Sequence, residues 1–275
     1  MPEYKEILVD VQNGIGTIKF NRPKQLNSFG GGIVSETIAA LRDLDARPDT
    51  YFTVITGEGR FFCAGADVNG IAAARQDFAN EGEHKVFWMQ RFAEGVELVR
   101  ALIDHTKVLV LAMNGPGVGA GAAWFQGQCD LFYAADDAWL QVTFSELGLI
   151  PENGSALSWA QSIGVHRAND WLMFGGKASV QELQTLGLVN KIFPKEGFHA
   201  SVHEYLKDKL KNRDGKSLIE MKRLQNARLR DQRLLSLFEA WNALSEKFVE
   251  GEPLRRMTAK MQELADKRKA RRSKL

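Results

Sequence analysis

At 275 residues the chain can bury one large core, alone or with a helical appendage. Hydrophobic residues at 44%, charged residues at 25% and a formal net charge of +2 fit an ordinary soluble globular protein and supply no overall field for nucleic acid. Two isolated cysteines, Cys63 and Cys129, make no disulfide framework and suit no zinc site, and neither a membrane-length apolar run nor a signal-peptide core is present.

Ile7 to Val11 and Ile15 to Phe20 read as two strands around Asn13-Gly14, a hairpin signal. A polar loop, Asn21-Arg22-Pro23-Lys24-Gln25-Leu26-Asn27-Ser28, follows. Ile33, Ile38, Leu41 and Leu44 give a helical apolar face that ends near Pro48. Phe52 to Thr56 is a buried-type strand running into Gly57-Glu58-Gly59-Arg60. After Phe61-Phe62-Cys63-Ala64-Gly65-Ala66-Asp67 and a polar Gly/Ala-rich stretch, His84 to Asp104 reads as a long helix. The pattern then repeats: a strand from Val108 to Met113, a tight turn Asn114-Gly115-Pro116-Gly117-Val118-Gly119, and a helix from Ala120 to Gln126. Leu131 to Ala134 and Trp139 to Val142 are further strands. From Ser155 the chain reads as mostly helical, through Val180 to Leu186, Phe198 to Lys211, Lys216 to Lys247 and Glu252 to Lys267. This is an α/β core followed by a helical C-terminal region. The run Lys267 to Lys274 reads as a solvated basic tail. At the end stands Ser273-Lys274-Leu275, a tripeptide that an import receptor reads as a peroxisomal address. The expected location is the peroxisome matrix.

Both glycine-rich turns follow a strand and lead towards a helix, so backbone N–H groups at the helix start are free to donate. Glycine and alanine let a ligand approach the main chain closely. Two such turns converging would form an oxyanion hole; either alone is equally a tight strand-to-helix connection. Gly115 to Ala120 also fits a dinucleotide fingerprint, but its place deep in the chain and the upstream hairpin argue against that. Glu152 follows an apolar run and Pro151. A carboxylate in apolar surroundings has a raised pKa and suits proton transfer near neutral pH; a solvated loop glutamate is the plain alternative. His199 and His203 share a helix face without a third ligand, and no metal is expected. Trp88, Trp124, Trp159, Trp171 and Phe174 could line an acyl pocket, but bulky aromatics in this setting are more often core.

Taken in order, Arg22-Pro23-Lys24-Gln25-Leu26-Asn27, Phe62-Cys63-Ala64-Gly65-Ala66-Asp67, Asn114-Gly115-Pro116-Gly117-Val118-Gly119-Ala120 and Leu147-Gly148-Leu149-Ile150-Pro151-Glu152-Asn153-Gly154 resemble the crotonase (enoyl-CoA hydratase/isomerase) superfamily. The resemblance implies a spiral of ββα units over about residues 1–200, and a helical trimerisation region over 201–272 ahead of the terminal tripeptide. It also implies homotrimers or homohexamers and an acyl-CoA substrate, with no separate cofactor because CoA is part of the substrate. The thioester oxygen would lie between the N–H groups of Ala66 and Ala120. Lys24, Gln25, Leu26, Ala64, Gly65, Ala66, Asp67, Val68, Gly119 and Ala120 would line the CoA site.

Two departures bear on the reaction that the resemblance implies. Where the family's hydratases carry two water-activating glutamates, this chain has Ala123 and Phe144, which transfer no proton. Glu152 stands where the peroxisomal Δ3,Δ2-enoyl-CoA isomerases of fungi carry a single catalytic glutamate, and the phrase around it is similar to theirs. The expectation is an isomerase that moves the double bond of 3-enoyl-CoA to 2-enoyl-CoA, with Glu152 as acid and base. Another reaction of the superfamily, or a CoA-binding scaffold role, stays open.

Overall fold

The computed structural model describes residues 3–67, 70–71 and 76–272. The hairpin forms as expected: β1 (Ile7–Gln12) pairs antiparallel with β2 (Ile15–Phe20), and Asn13 and Gly14 both take positive φ, 54° and 78°, which a two-residue turn of this hand requires. Helix α1 (Ile33–Ala46) buries Ile33, Thr37, Ile38, Leu41 and Leu44 along one stripe. Strands β3 (Phe52–Gly57) and β4 (Val108–Met113) are buried throughout, the pattern of central parallel strands covered on both faces. Between them runs the long helix α2 (Glu81–Asp104), opened by the Asn80 side chain, which accepts from the Glu83 N–H at 3.0 Å.

With β6 (Leu131–Ala135) and β9 (Lys191–Phe193) these strands make a six-stranded sheet in the order β1-β2-β3-β4-β6-β9, parallel from β2 onward. A smaller sheet joins β5 (Gly117–Val118), β7 (Trp139–Val142) and β8 (Gly176–Ser179). Because β2, β3 and β4 are parallel, the loops that follow them leave the sheet on one side. The polar loop after Phe20 and the two glycine-rich turns meet there for that reason, the Ala64 N–H donating to Leu26 O and Cys63 bridging Gly117.

From Gly117 onward the structure departs from the sequence pattern in its short strands, in one shortened helix and in one divided helix. Strands β5, β8 and β9 are short, and pairing with β7 and β6 rather than local propensity makes them strands. Helix α3 (Ala120–Ala123) stops three residues before Gln126. The chain then continues through α4 (Ser155–Ile163), α5 (Val165–Phe174), α6 (Val180–Thr185) and α7 (Phe198–Leu210). The expected single helix from Lys216 to Lys247 is two, α8 (Gly215–Asn226) and α9 (Arg230–Glu250). Tethers on both sides hold the bend: Asn226 Nδ2 donates to Asp130 Oδ1 at 2.9 Å, and Arg230 pairs with Asp104 at 2.7 Å. Helix α10 (Glu252–Arg272) completes the chain. No helix among the described residues is long and apolar enough to cross a membrane.

Helix α8 is fastened by a buried ion pair. Lys222 Nζ lies 2.8 Å from Asp130 Oδ2 and donates to Lys107 O at 2.7 Å, while Asp130 Oδ2 also accepts from the Leu109 N–H. Removing one member strands the other in a low-dielectric site. Lys222→Met is expected to lower unfolding free energy by about 3 kcal/mol in urea titration, whereas truncating the exposed Arg223–Glu220 pair should change it by under about 1 kcal/mol.

Candidate active site

The loops after β3 and β4 interlock through backbone alone. Gly65 has φ of +87°, and a Cβ there would lie 2.7 Å from Val118 O and 3.4 Å from the Ala120 nitrogen. At Gly121 a Cβ would come within 2.4 Å of Cys63 O. Cys63 and Gly117 also form an isolated bridge. These bare positions allow the two main chains to touch, which puts the 64–67 loop against the start of α3.

The same loop is held from the other side by the segment after β2. Phe29 bridges Ala66: the Phe29 N–H donates to Gly65 O at 2.8 Å, and the Asp67 N–H donates to Phe29 O at 3.1 Å. This parallel pattern turns the N–H of Ala66 away from its neighbour. Ala120 is the first residue of α3, where an N–H has no intrahelical acceptor. Among the described residues neither the Ala66 nor the Ala120 N–H has a backbone acceptor.

In front of Ala66 lies a cavity of about 310 Å³. Glu152 and Asn153 line it, carried by the turn that precedes α4, where Asn153 and Gly154 take φ of 52° and 73°. The Glu152 residue keeps some contact with the cavity, but protein atoms crowd its carboxyl, and this burial pushes its pKa up to about 7. No neighbouring charge contributes to the shift. Phe29 and Trp124 stack with centroids 4.9 Å apart and form one wall. Gly95 leaves room for that wall, since a Cβ there would lie 2.8 Å from Trp124 Cη2. Arg91 and Glu94 of α2 add polar groups, and Leu244, Phe248 and Met257 supply an apolar end.

The cavity thus brings together Ala66, Asp67 and Glu152 among the residues singled out from the sequence. Gly65 and Gly119 shape the junction, the latter with φ of 55° just ahead of α3. Ala120 is 2% exposed and abuts Gly65 without lining the cavity. Lys24 and Gln25 line a separate, shallow depression beside Lys5, Glu6 and Arg22. Leu26 connects the two regions, its carbonyl accepting from the Ala64 N–H at 3.0 Å. Val68 and Ser273, Lys274 and Leu275 lie outside the described residues. Ala123 and Phe144, which stand where the resemblance places the two glutamates of the hydratases, are 0% and 2% exposed and packed in the core. Among the described residues no group of three or more histidines, cysteines and acids is placed to hold a metal ion.

Two aromatic expectations need correction. Trp124 is a cavity wall as well as a core residue, and Phe174 is 77% exposed at the end of α5 instead of buried. The region after residue 200 also does more than the sequence suggested. Helix α9 lies along α2, with Trp241 Nε1 donating to Met89 O at 2.9 Å, and its Leu244 and Phe248 face the protein's own cavity. Their spacing of four residues was the available signal, readable only as a generic amphipathic helix.

The comparisons with known proteins agree with this architecture. Residues 10–272 match the family described as enoyl-CoA hydratase/isomerase. The chain is 33% identical over 247 residues to a 3,2-trans-enoyl-CoA isomerase of Saccharomyces cerevisiae, covering 87% of this chain and 88% of that protein. It is 32% identical to a peroxisomal enoyl-CoA delta isomerase 3 of Mus musculus, covering 74% of this chain and 62% of that one. A crystal structure of an enoyl-CoA hydratase/isomerase from Pseudoalteromonas atlantica superimposes with a TM-score of 0.82 at 20% identity, covering 94% of this chain and 98% of that one, a likeness of fold.

The raised pKa of Glu152 has a consequence for folding. The native state holds the proton more tightly than the unfolded chain, so the contribution to stability is complete below about pH 4.5 and is lost as pH rises through about 7. Above that, the ionised carboxylate costs about 3 kcal/mol. Glu152→Gln should therefore be more stable than the native protein at pH 8.5 and nearly equal to it at pH 4.5, as read by urea unfolding at the two pH values. With a matching family over nearly its whole length and the interlocked loops that its sequence motifs encode, the chain belongs to the enoyl-CoA hydratase/isomerase family.

Proposed function

We propose that the chain converts 3-enoyl-CoA to 2-enoyl-CoA, with Glu152 as the single proton carrier and the N–H groups of Ala66 and Ala120 as donors to the thioester oxygen. The observation that carries this reading is one carboxyl with a pKa near 7 in a cavity whose wall includes Ala66. Near neutral pH such a group is present in both forms, and so can take a proton and return it.

The Glu152 carboxylate removes a proton from C2, and the electron pair delocalises onto the thioester oxygen as a dienolate. The two N–H donors stabilise that oxygen; one such donor is worth about 3 kcal/mol in a transition state. The protonated Glu152 then delivers the proton to C4, C2 and C3 become doubly bonded, and the carboxylate is regenerated. All atoms come from substrate and Glu152, so the cycle as written calls on no cofactor beyond the CoA of the substrate. Buried Ala123 and Phe144 offer no group to activate water, which favours isomerisation over hydration.

Lys24, Gln25, Leu26, Ala64, Gly65, Asp67, Val68 and Gly119 are proposed to contact CoA, with Leu26 linking the outer depression to the 64–67 loop. The domain division at residue 200 is retained as a proposal. Assembly into a homotrimer or homohexamer is supported by exposed apolar side chains, among them Val165, Met173 and Phe174 on α5. Residence in the peroxisome matrix through an import receptor rests on Ser273-Lys274-Leu275 and on the peroxisomal relative.

The test is turnover of a 3-enoyl-CoA by the purified protein beside Glu152→Gln. The native protein should convert it with a rate that rises through about pH 7, and the variant should lose more than about a thousandfold while still binding CoA. Equal rates in both would remove Glu152 from the chemistry. Binding without turnover would leave another reaction of the family or a scaffold role.

A further inference from the structure

Two peptide groups connect the proposed oxyanion donor to a partly buried cation. Arg22 Nη1 donates to Ser28 O at 2.7 Å, and the same peptide unit ends in the Phe29 N–H. That N–H donates to Gly65 O at 2.8 Å, and the peptide unit of Gly65 ends in the N–H of Ala66. We infer that Arg22 is a positioning residue that both fixes and polarises the Ala66 N–H through this two-peptide relay. The inference rests on the reading of Ala66 as a thioester donor.

The physical basis is the antiparallel C=O and N–H of a trans peptide, the form of every peptide bond among the described residues. A hydrogen bond accepted at the oxygen draws charge from the nitrogen and makes the N–H a stronger donor, by about 10–30% per bond in a condensed phase. A charged donor at the head of the chain strengthens each following link. The Arg22 side chain is 15% exposed, so water screens it only in part. Its fork is oriented by Glu6, 2.6 Å from Nε, and Nη1 also donates to Gly30 O at 2.7 Å. One guanidinium therefore holds the carbonyls on both sides of Phe29, the residue that bridges Ala66. Gly30 is bare where Arg22 passes; a Cβ would sit 3.2 Å from Nη1 and 3.1 Å from Asp67 Oδ2.

The partner donor is wired differently. The carbonyl of the Gly119–Ala120 peptide accepts from the neutral Ala122 N–H at 2.9 Å. Loss of Arg22 should accordingly weaken one arm of the hole and leave the other.

The experiment compares the native protein with Arg22→Met and Arg22→Gln, the second keeping a short amide donor without charge. Folding is checked by thermal unfolding, and binding by affinity for free CoA, which has no thioester carbonyl. The readout is the infrared stretch of a 2-enoyl-CoA isotope-labelled at that carbonyl, alongside kcat and KM. The native protein should lower the stretch relative to free ligand. Both variants should return part of that shift, lower kcat about tenfold, and leave KM and CoA affinity within about threefold. If Arg22→Met does not fold, Arg22→Gln carries the comparison. Folded variants with native carbonyl frequency and native kcat would overturn the relay alone. A native protein that leaves the stretch at its free value would overturn the oxyanion reading, and the relay with it.

Discussion

The contact between Gly65 and the Val118–Ala120 turn is the constraint from which the site follows. Backbone meets backbone there, with no side chain between, and a single methyl group would close to 2.7 Å of a carbonyl oxygen. Side-chain packing would hold the two main chains further apart, because each intervening carbon adds its own radius. The parallel arrangement of β2, β3 and β4 delivers the loops to one side, and glycine at the meeting point lets them close. Ala66, next to that junction, and the turn that carries Glu152 line one cavity.

Electrostatics around the cavity are divided between two kinds of device. Glu152 is tuned by exclusion of water alone, which favours its neutral form and sets its proton affinity near that of the medium. In the proposed reaction the backbone donors, the N–H groups of Ala66 and Ala120, face the opposite demand, since they would have to favour negative charge. They meet it with the free N–H at the start of α3 and with the Phe29 bridge at Ala66. In the proposed proton abstraction the charge would leave the carboxylate for the donors, a favourable direction on both counts.

Legibility in the sequence followed the reach of each interaction. The hairpin at Asn13-Gly14, the buried strands from Phe52 and Val108, and α1 depend on near neighbours, and local patterns contain them. Short β8 and β9 depend on strands tens of residues away, and nothing in Gly176–Ser179 or Lys191–Phe193 announces a partner. The break between α8 and α9 arises from Asp130 and Asp104, distant acids that hold Asn226 and Arg230. In the site, Glu152 and the glycine turns lie in compact motifs and were readable. Trp124, Glu94, Leu244 and Met257 reach the cavity through tertiary packing, and their own surroundings in the sequence look like core or solvent-facing helix.

The cavity draws its two ends from widely separated parts of the polypeptide. Ala66, Glu152 and the loops that hold them come from the first 160 residues, while Leu244, Phe248 and Met257 come from the last helices. Replacement of the latter three changes the volume and shape of the apolar end without touching the glycine junction or Glu152. Divergence between related chains can then proceed at two independent rates, with the helices free to retune what the cavity admits while the loops preserve what is done to it.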